Sequence, residues 1–255
     1  MVFLQLPLPP TLGPVSAVQV LDDPGIPAPP GGVGTLSSSP RSAGAGRGKT
    51  RPCPARGPRH TGRVKIGFLG GSFDPVHFGH LVAARTACEH CGLDRVVLVP
   101  AARAPLKARA AAASPADRLA MLRAAVADDP RFEVSDHELR RGGVSFTIDT
   151  ARHFRAQFPR ARLFWIIGAD QLARLPRWKD IAALAQLVEI AVVGRPGFAL
   201  RRPAGLPGLR LHRCPGHELD LSSTALRARA RRGLPLDWLT PHKTVVYIRR
   251  KRLYR

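Results

Sequence analysis

The chain of 255 residues carries 40 Lys and Arg against 18 Asp and Glu, a formal net charge of +22. A hydrophobic content of 44% is enough for a core and excludes disorder throughout, and no run approaches the roughly 18 apolar residues of a membrane span. The charge favours a nucleic-acid partner at first sight, because clustered Lys and Arg neutralise phosphates. Only six of the basic residues are Lys, however, which indicates an Arg-rich coding bias and weakens that interpretation.

Residues 1–63 are predicted to form a disordered extension. The first 60 residues contain 12 Pro and 9 Gly without apolar periodicity, so they cannot bury enough surface to offset the entropy of ordering. The first basic residue is Arg41, so the opening lacks the charged start of a signal peptide, and prolines interrupt its apolar residues. We therefore expect a cytoplasmic protein whose folded part covers residues 64–255.

Strand and helix patterns alternate from residue 64 onward. Apolar runs predict strands over 64–69, 95–99, 163–167 and 188–193, with a shorter candidate at 209–211. Helices are predicted over 77–90, after Ser114 with Pro115 at the first position, and near Ser222 and Thr240. This alternation predicts an α/β fold, a Rossmann-like doubly wound parallel sheet in a single catalytic domain. In such a sheet, ligands bind beyond the carboxyl ends of the strands.

The segment between the first strand and the first helix has the strongest functional pattern, Gly70-Gly71-Ser72-Phe73-Asp74-Pro75-Val76-His77-Phe78-Gly79-His80. Two adjacent glycines let the backbone turn tightly and approach a ligand. Two histidines three positions apart project from one face at a helix start, where free amides and the helix dipole favour anions. Phosphate oxygens are the natural ligands. The alternative is a glycine turn with two solvent-facing histidines.

A second anion-binding pattern lies at a later helix start. Three consecutive hydroxyl residues, Ser222, Ser223 and Thr224, precede Arg227 by about one turn. Alone, this pattern is equally consistent with an ordinary capped helix and a surface arginine. Two such segments in one α/β domain predict a triphosphate bound from both sides.

These motifs resemble those of the nucleotidylyltransferases, and within them the bacterial nicotinate-nucleotide adenylyltransferases. Four further pieces follow in order: Ser145-Phe146-Thr147-Ile148-Asp149-Thr150; Trp165-Ile166-Ile167-Gly168-Ala169-Asp170 with Trp178 beyond it; Gly194-Arg195-Pro196-Gly197; and the end of the chain, from Tyr247-Ile248 to Leu253-Tyr254-Arg255. The resemblance covers essentially all of residues 64–255 and none of residues 1–60.

The resemblance implies adenylyl transfer from ATP to nicotinate mononucleotide in NAD biosynthesis, with release of pyrophosphate. It makes His77 and His80 the catalytic residues and lets Mg²⁺ arrive with ATP, without a protein metal site. The other residues that it assigns to ATP are Gly70, Gly71, Ser72, Phe73, Asp170, Ser222, Ser223, Thr224 and Arg227. It assigns the acceptor to Lys107, Thr147, Trp178 and Arg195.

Within the acceptor site, the resemblance implies that Trp178 stacks on the pyridine ring. Thr147 lies near the ring carboxylate, aided by backbone amides around Trp178 and Lys179. The chain departs from the family at Leu106, where histidine is common, and at Phe146, where tyrosine is common. Without the family, Trp178 reads as a half-buried helix residue, and Asp170 and Thr147 as helix caps.

Several alternatives remain open from the sequence. The acceptor could be nicotinamide mononucleotide or pantetheine phosphate instead. A basic nucleic-acid-binding module is a remote alternative, because aromatic residues make up only 6% and the basic residues are spread along the domain. We therefore expect no nucleic-acid or membrane partner, and the sequence leaves open whether the chain forms a homo-oligomer.

The cysteines do not form a disulfide framework. Cys88 and Cys91 lie one helical turn apart, and structural burial is favoured over zinc binding. In the zinc alternative, Cys214 and His217 would supply the remaining ligands.

Overall fold

The computed structural model describes residues 62–105, 110–203, 206, 208–217 and 219–255. The predicted extension therefore lies almost wholly outside the described residues, as do Leu106 and Lys107. The strands are β1 (Lys65–Gly71), β2 (Arg95–Pro100), β3 (Phe132–Val134), β4 (Arg162–Gly168), β5 (Glu189–Val193) and β6 (Leu211–Cys214). The helices are α1 (Phe78–Cys91), α2 (Pro115–Val126), α3 (His137–Arg141), α4 (Thr147–Gln157), α5 (Ala169–Leu172), α6 (Ile181–Leu187), α7 (Ser223–Arg231) and α8 (His242–Lys251), with a 3₁₀ turn at Leu175–Arg177.

The described strands form one sheet in the order β3-β2-β1-β4-β5-β6, and every pairing is parallel. The chain runs outward from β1 to β3 and then crosses back to β4 on the other side of β1. The order therefore reverses between β1 and β4, which is the point where an open α/β sheet forms its ligand crevice. This arrangement confirms the predicted Rossmann-like, doubly wound fold.

Two apolar layers cover the two faces of the sheet. Alternate strand residues such as Leu69, Leu98 and Ile166 face a cluster with α1, α2, α7 and α8. The intervening residues, among them Phe68 and Trp165, face a second cluster with α4, α5 and α6. Since both faces are covered, the strands are nearly continuous apolar runs, which is why the sequence marked them clearly.

Local chemistry sets several helix ends as predicted. The Ser114 hydroxyl caps α2 by accepting from the Asp117 amide at 3.1 Å, with Pro115 at the first helical position. Helix α1 ends at Gly92, whose φ of 59° lies in the left-handed region that glycine adopts without a steric penalty. No helix in the described part of the chain is both long and apolar enough to cross a membrane.

The sequence prediction was wrong at the last strand and incomplete at the edge. The predicted strand 209–211 overlaps β6 only at Leu211, where β6 begins; Leu209 is buried, and its carbonyl accepts from Arg202 at 2.7 Å. Strand β3 went unpredicted because three residues at a sheet edge are too few to show a period. The five-residue helix α3 was missed for the same reason.

Candidate active site

Gly70 and Gly71, the last two residues of β1, and the loop that follows them pack against aromatic rings. A methyl group at Gly70 would lie 3.0 Å from the Trp165 ring, and one at Gly71 would lie 3.1 Å from the Phe73 ring. Phe73 is itself buried, with a φ of 46°, and its ring meets the His80 ring edge-on at 4.9 Å between centroids. The glycines thus allow this loop to fold onto β4, and Phe73 connects it to the histidines.

The two predicted histidines lie side by side at the start of α1. His77 is the N-cap residue and His80 is in the first turn, and their ring centroids are 3.8 Å apart. The His77 backbone N–H donates to His80 Nδ1 at 3.3 Å, so a neutral His80 carries its proton on Nε2. A methyl group at Gly79 would lie 3.0 Å from the His77 ring and 3.5 Å from the Leu221 side chain. The structure thus brings the two imidazoles together and needs glycine between them.

His77 is neutral at physiological pH. Its side chain is buried, and Nδ1 has no hydrogen-bond partner within the described residues. Burial, aided by the positive charge of Arg195, lowers the His77 pKa to about 4. A neutral imidazole can donate one hydrogen bond to an anion without bringing a full positive charge.

Asp74 is the hub of this loop, although the sequence analysis gave it no role. Its buried carboxylate accepts from the backbone N–H groups of Ala112 and Ala113 at 2.7 and 3.0 Å. The Tyr254 hydroxyl donates to the same carboxylate at 2.8 Å, which couples the chain's penultimate residue to the loop. Burial and the adjacent Asp74 charge raise the Tyr254 pKa well above its usual range, so the hydroxyl keeps its proton.

The second predicted motif docks directly on the first. The Ser222 hydroxyl caps α7 by accepting from the Ala225 amide at 3.2 Å, and the Ser223 hydroxyl donates to the Pro75 carbonyl at 2.9 Å. Arg227 donates to the Asp74 carbonyl at 2.7 Å and to the Thr224 hydroxyl at 3.3 Å. The start of α7 is therefore fixed against the histidine loop, and both helix N-termini are adjacent.

Asp170 and Arg195 form an ion pair beyond the carboxyl ends of β4 and β5. The Arg195 guanidinium lies 3.2 Å from Asp170 Oδ1, and its charge reaches His77. A methyl group at Gly168 would lie 2.5 Å from the Asp170 carboxylate, so a larger residue there would push that carboxylate out of its present position. The sequence placed Asp170 with ATP and Arg195 with the acceptor, and the structure brings the two together beside the histidines.

Two of the predicted acceptor residues, Thr147 and Trp178, lie in or next to a second group at the start of α4, whereas Arg195 belongs to the ion pair with Asp170. The Lys179 ammonium lies 4.6 Å from the Phe146 ring centroid and 3.9 Å from Asp149 Oδ1. Trp178 is half-buried against the apolar cluster around α4, so part of its side chain has a packing role, as the alternative interpretation of this residue expected. Its N–H donates to the Leu175 carbonyl at 2.9 Å, so the expected amide donor at this position is already engaged. The structure thus joins residues 146–149 to residues 178–179.

Buried polar residues that the sequence analysis missed support both groups. Arg118, almost fully buried, donates to the carbonyls of Ser72 and Ala101 at 2.8 Å each and so ties the loop after β1 to the end of β2. Glu138 is also buried and accepts from the Thr150 hydroxyl at 2.6 Å, which holds α3 against α4. Burial raises the Glu138 pKa. Helix periodicity predicts apolar residues at such positions, and it gives no signal for a buried charge.

The described cysteines lie away from this site. Cys88, Cys91 and Cys214 are all buried, and the Cys91 and Cys214 sulfurs are 3.8 Å apart. Among the residues with described positions, no three His, Cys, Asp or Glu side chains cluster as a metal site. A cavity of about 420 Å³ lies at the amino ends of β4 and β5, the ends opposite to the predicted site. None of the predicted site residues lines it.

Comparisons with known proteins identify the family to which the chain belongs. Residues 68–229 match the family model described as cytidylyltransferase-like. The chain is 62% identical over 192 residues to a "Probable nicotinate-nucleotide adenylyltransferase" of Opitutus terrae, covering 75% of this chain and 98% of that protein. It is 44% identical over 195 residues to a protein of the same name from Herpetosiphon aurantiacus, covering 74% and 98%.

Solved structures give the same fold. Plasmodium falciparum nicotinic acid mononucleotide adenylyltransferase complexed with NaAD superposes with a TM-score of 0.63 at 16% identity, covering 75% of this chain and 98% of that one. A second structure of that protein, complexed with APC, gives 0.61 with the same identity and coverage. At this identity the likeness concerns the fold alone, whereas the closer curated relatives carry the family assignment. The chain belongs to the cytidylyltransferase-like family and, within it, is a nucleotidyltransferase of the nicotinate-nucleotide adenylyltransferase group.

Proposed function

We propose that the chain transfers the adenylyl group of ATP to nicotinate mononucleotide. An oxygen of the acceptor 5′-phosphate attacks the α-phosphorus of ATP, the bond from that phosphorus to the bridging oxygen breaks, and pyrophosphate leaves. One observation carries the proposal: the paired histidines of α1 and the hydroxyl-rich start of α7 are fixed to the same loop at the switch point of the sheet. The proposal agrees with the names of the curated relatives.

The triphosphate lies between the two helix starts. The positive ends of the helix dipoles of α1 and α7 favour anions there. The Phe78 and His80 backbone N–H groups of α1 already donate to the Leu239 and His77 carbonyls, so the attraction at α1 comes from the dipole and the imidazoles. Thr224 and Arg227 face the distal phosphates. Because Arg227 also binds the Asp74 carbonyl, its guanidinium is held in place before ATP arrives. This preorganisation lowers the cost of gathering negative charge during transfer.

The histidines donate hydrogen bonds to the reacting phosphates. His77 does so as a neutral imidazole, because its pKa is about 4. His80 presents the Nε2–H tautomer, since its Nδ1 accepts from the His77 backbone N–H. No general base is needed, because the attacking phosphate monoester is already anionic near pH 7. The chain's contribution is positioning and charge stabilisation.

The acceptor ring lies between Trp178 and the start of α4. Trp178 offers a face for stacking, and Thr147 offers a hydroxyl to the ring carboxylate. The Trp178 backbone N–H is engaged with the Leu175 carbonyl. We therefore assign the contact with the negatively charged ring carboxylate to the Lys179 ammonium, which lies next to the Phe146 ring and Asp149. Phe146 thus positions the Lys179 ammonium through a cation–π contact. Lys107, which lies outside the described residues, remains the predicted contact for a substrate phosphate.

Mg²⁺ would arrive bound to the ATP phosphates and would supply charge neutralisation for the leaving pyrophosphate. The two carboxylates of the described site fit this placement poorly as direct ligands. Asp74 already accepts from two amides and a tyrosine, and Asp170 pairs with Arg195. We therefore propose no direct protein ligands for the ion.

The cytoplasmic location stays a prediction from the sequence.

The test is pyrophosphate release from ATP and Mg²⁺ with each acceptor in turn. Nicotinate mononucleotide should be preferred, and His80→Ala should lower turnover by about two orders of magnitude or more. His90→Ala is the matched control, because His90 lies exposed in the last turn of the same helix. Equal rates with nicotinamide mononucleotide, or preference for pantetheine phosphate, would contradict the acceptor assignment. An unchanged rate in His80→Ala would contradict the site itself.

A further inference from the structure

Helix α1 is lined along one side by the chain that leaves β6. Cys214, the last residue of β6, meets Cys91 in the last turn of α1. Two residues later, Gly216 packs so closely that an added methyl group would lie 2.6 Å from Thr86. Leu221 reaches the first turn, 3.5 Å from where a methyl group on Gly79 would lie. These contacts follow α1 from its last turn to its first, where Leu221 precedes Ser222. The pair of thiols is the contact at the C-terminal end of the helix.

We propose that Cys91 and Cys214 are a dithiol site that a hydroperoxide oxidises to a disulfide joining α1 to β6. Their Sγ atoms are 3.8 Å apart, although 123 positions separate the residues in the chain. A disulfide requires about 2.05 Å, so the sulfurs must approach by less than ~2 Å. Both side chains are buried, Cys91 at 9% exposure and Cys214 completely, so the packing keeps each sulfur beside the other. The proposal rests on this thiol geometry and is independent of the adenylyl-transfer assignment.

The two thiols differ in chemistry in the way that such a reaction needs. The hydrogen bond with Cys214 lowers the Cys91 pKa, and the charge of Lys65 acts in the same direction. Lys65 is fixed there because its ammonium donates to the Cys91 carbonyl at 3.0 Å. The same hydrogen bond and complete burial raise the Cys214 pKa. Cys91 is therefore the thiolate that reacts first, and Cys214 is the resolving thiol.

The reaction balances with one peroxide. The Cys91 thiolate attacks a peroxide oxygen, the O–O bond breaks, and Cys91 becomes a sulfenic acid while the other oxygen leaves as water after protonation. The Cys214 sulfur then attacks Cys91 Sγ, the S–S bond forms, and the sulfenic oxygen leaves as a second water. Two thiols are oxidised to one disulfide, and hydrogen peroxide is reduced to two waters.

Cys88 provides a matched control on the same helix. Its thiol donates to the Leu93 carbonyl at 3.4 Å, and burial raises its pKa, so it is the less reactive neighbour. Glu89 and His90 separate it from Cys91 in the sequence, so cleavage after Glu89 places the two cysteines on different peptides. The site can therefore be identified to the residue.

The full-length chain, reduced and freed of reductant, is treated with hydrogen peroxide, and its free thiols are then alkylated under denaturing conditions. Digestion with trypsin and a glutamate-specific protease should give a linked peptide pair containing Cys91 and Cys214, about 2 Da lighter than the two free peptides. Dithiothreitol should reverse the link. Because the disulfide would close a long loop, Tm should rise by about 5 °C or more on oxidation.

The variants decide between the outcomes. Cys88→Ser should keep the link and the rise in Tm on oxidation, and Cys214→Ser should lose both, whatever its own Tm in the reduced state. A link from Cys88, a link only to Cys53, or a link that forms only in denaturant would overturn the proposal. So would sulfinic acid at Cys91 without any disulfide, because it would mean that Cys214 does not reach the oxidised sulfur.

Discussion

Acid should destabilise the folded domain in part through His77. Its folded-state pKa is about 4, against 6.5 for an unperturbed histidine, because the ring is buried and Arg195 is near. Below pH 6.5 the unfolded chain takes up a proton at this residue, whereas the folded chain does not do so until about pH 4. The stability that His77 contributes is therefore complete at neutral pH and is lost as the pH falls through this window.

The size of the loss follows from the two pKa values. At about pH 5 the difference in proton uptake amounts to roughly 2 kcal/mol of unfolding free energy, a large part of the stability of an ordinary domain. The ring is only 5% exposed, so solvent does little to screen this effect. Other groups also titrate in this range, which is why the contribution must be measured as a difference between wild type and a variant.

Urea unfolding of wild type and His77→Gln at about pH 7 and about pH 5 measures this difference. The variant should gain about 2 kcal/mol relative to wild type between the two conditions, because glutamine takes up no proton. Arg195→Gln should move the His77 titration, followed by NMR of the ring, toward higher pH. A ring that titrates near pH 6.5 in the folded protein, or a difference that does not change with pH, would refute the reasoning.

Three further substitutions test the packing around the site. Tyr254→Phe removes a buried hydrogen bond to the loop and should cost about 1–2 kcal/mol and lower kcat in activity and Tm measurements. Tyr247→Phe removes a part-buried hydrogen bond to Asp117, away from the loop, and should leave kcat unchanged and lower Tm less. Arg118→Gln leaves two carbonyls without donors and should cost about 3 kcal/mol in urea unfolding, against less than about 0.5 kcal/mol for the exposed Arg123→Gln on the same helix. Gly79→Ala pushes the nearer histidine ring and should lower kcat by about tenfold or more with little change in Tm; equal activity would contradict the close contact.

The central sheet and the helix starts that carry the two predicted anion-binding motifs could be predicted because their signals are local. Buried parallel strands are apolar runs that end at glycine or proline, and the start of a helix is marked by residues such as Ser114 and Pro115. Strand β3 carries no such signal, since three residues at a sheet edge show no period. The apolar Leu209 misplaced the start of β6, because burial alone does not require strand pairing.

The site was predicted less completely, since hydrogen-bond partners distant in the chain leave no pattern in one sequence. Asp74 and Tyr254 were both part of recognised motifs, but their bond spans 180 positions. Ser223 was predicted as a phosphate ligand, but in the structure its single hydroxyl proton is donated to the Pro75 carbonyl, where it anchors α7. A residue that binds the protein's own backbone and a residue that binds a ligand look alike in sequence, because both need the same donor.

The arginine excess has a structural explanation alongside the coding bias. Arg118 joins two loops by donating to two carbonyls, Arg155 donates to the carbonyls of Ala161 and Leu187, and Arg227 fixes the Asp74 carbonyl. A planar guanidinium offers five donors in a fixed fork, whereas lysine offers a single flexible ammonium, so replacement by lysine would lose the second contact in each case. Positive charge that is tied to the protein's own carbonyls in this way is poorly placed to follow a nucleic-acid backbone. These three arginines have structural contacts, and a high net charge by itself does not identify a nucleic-acid partner.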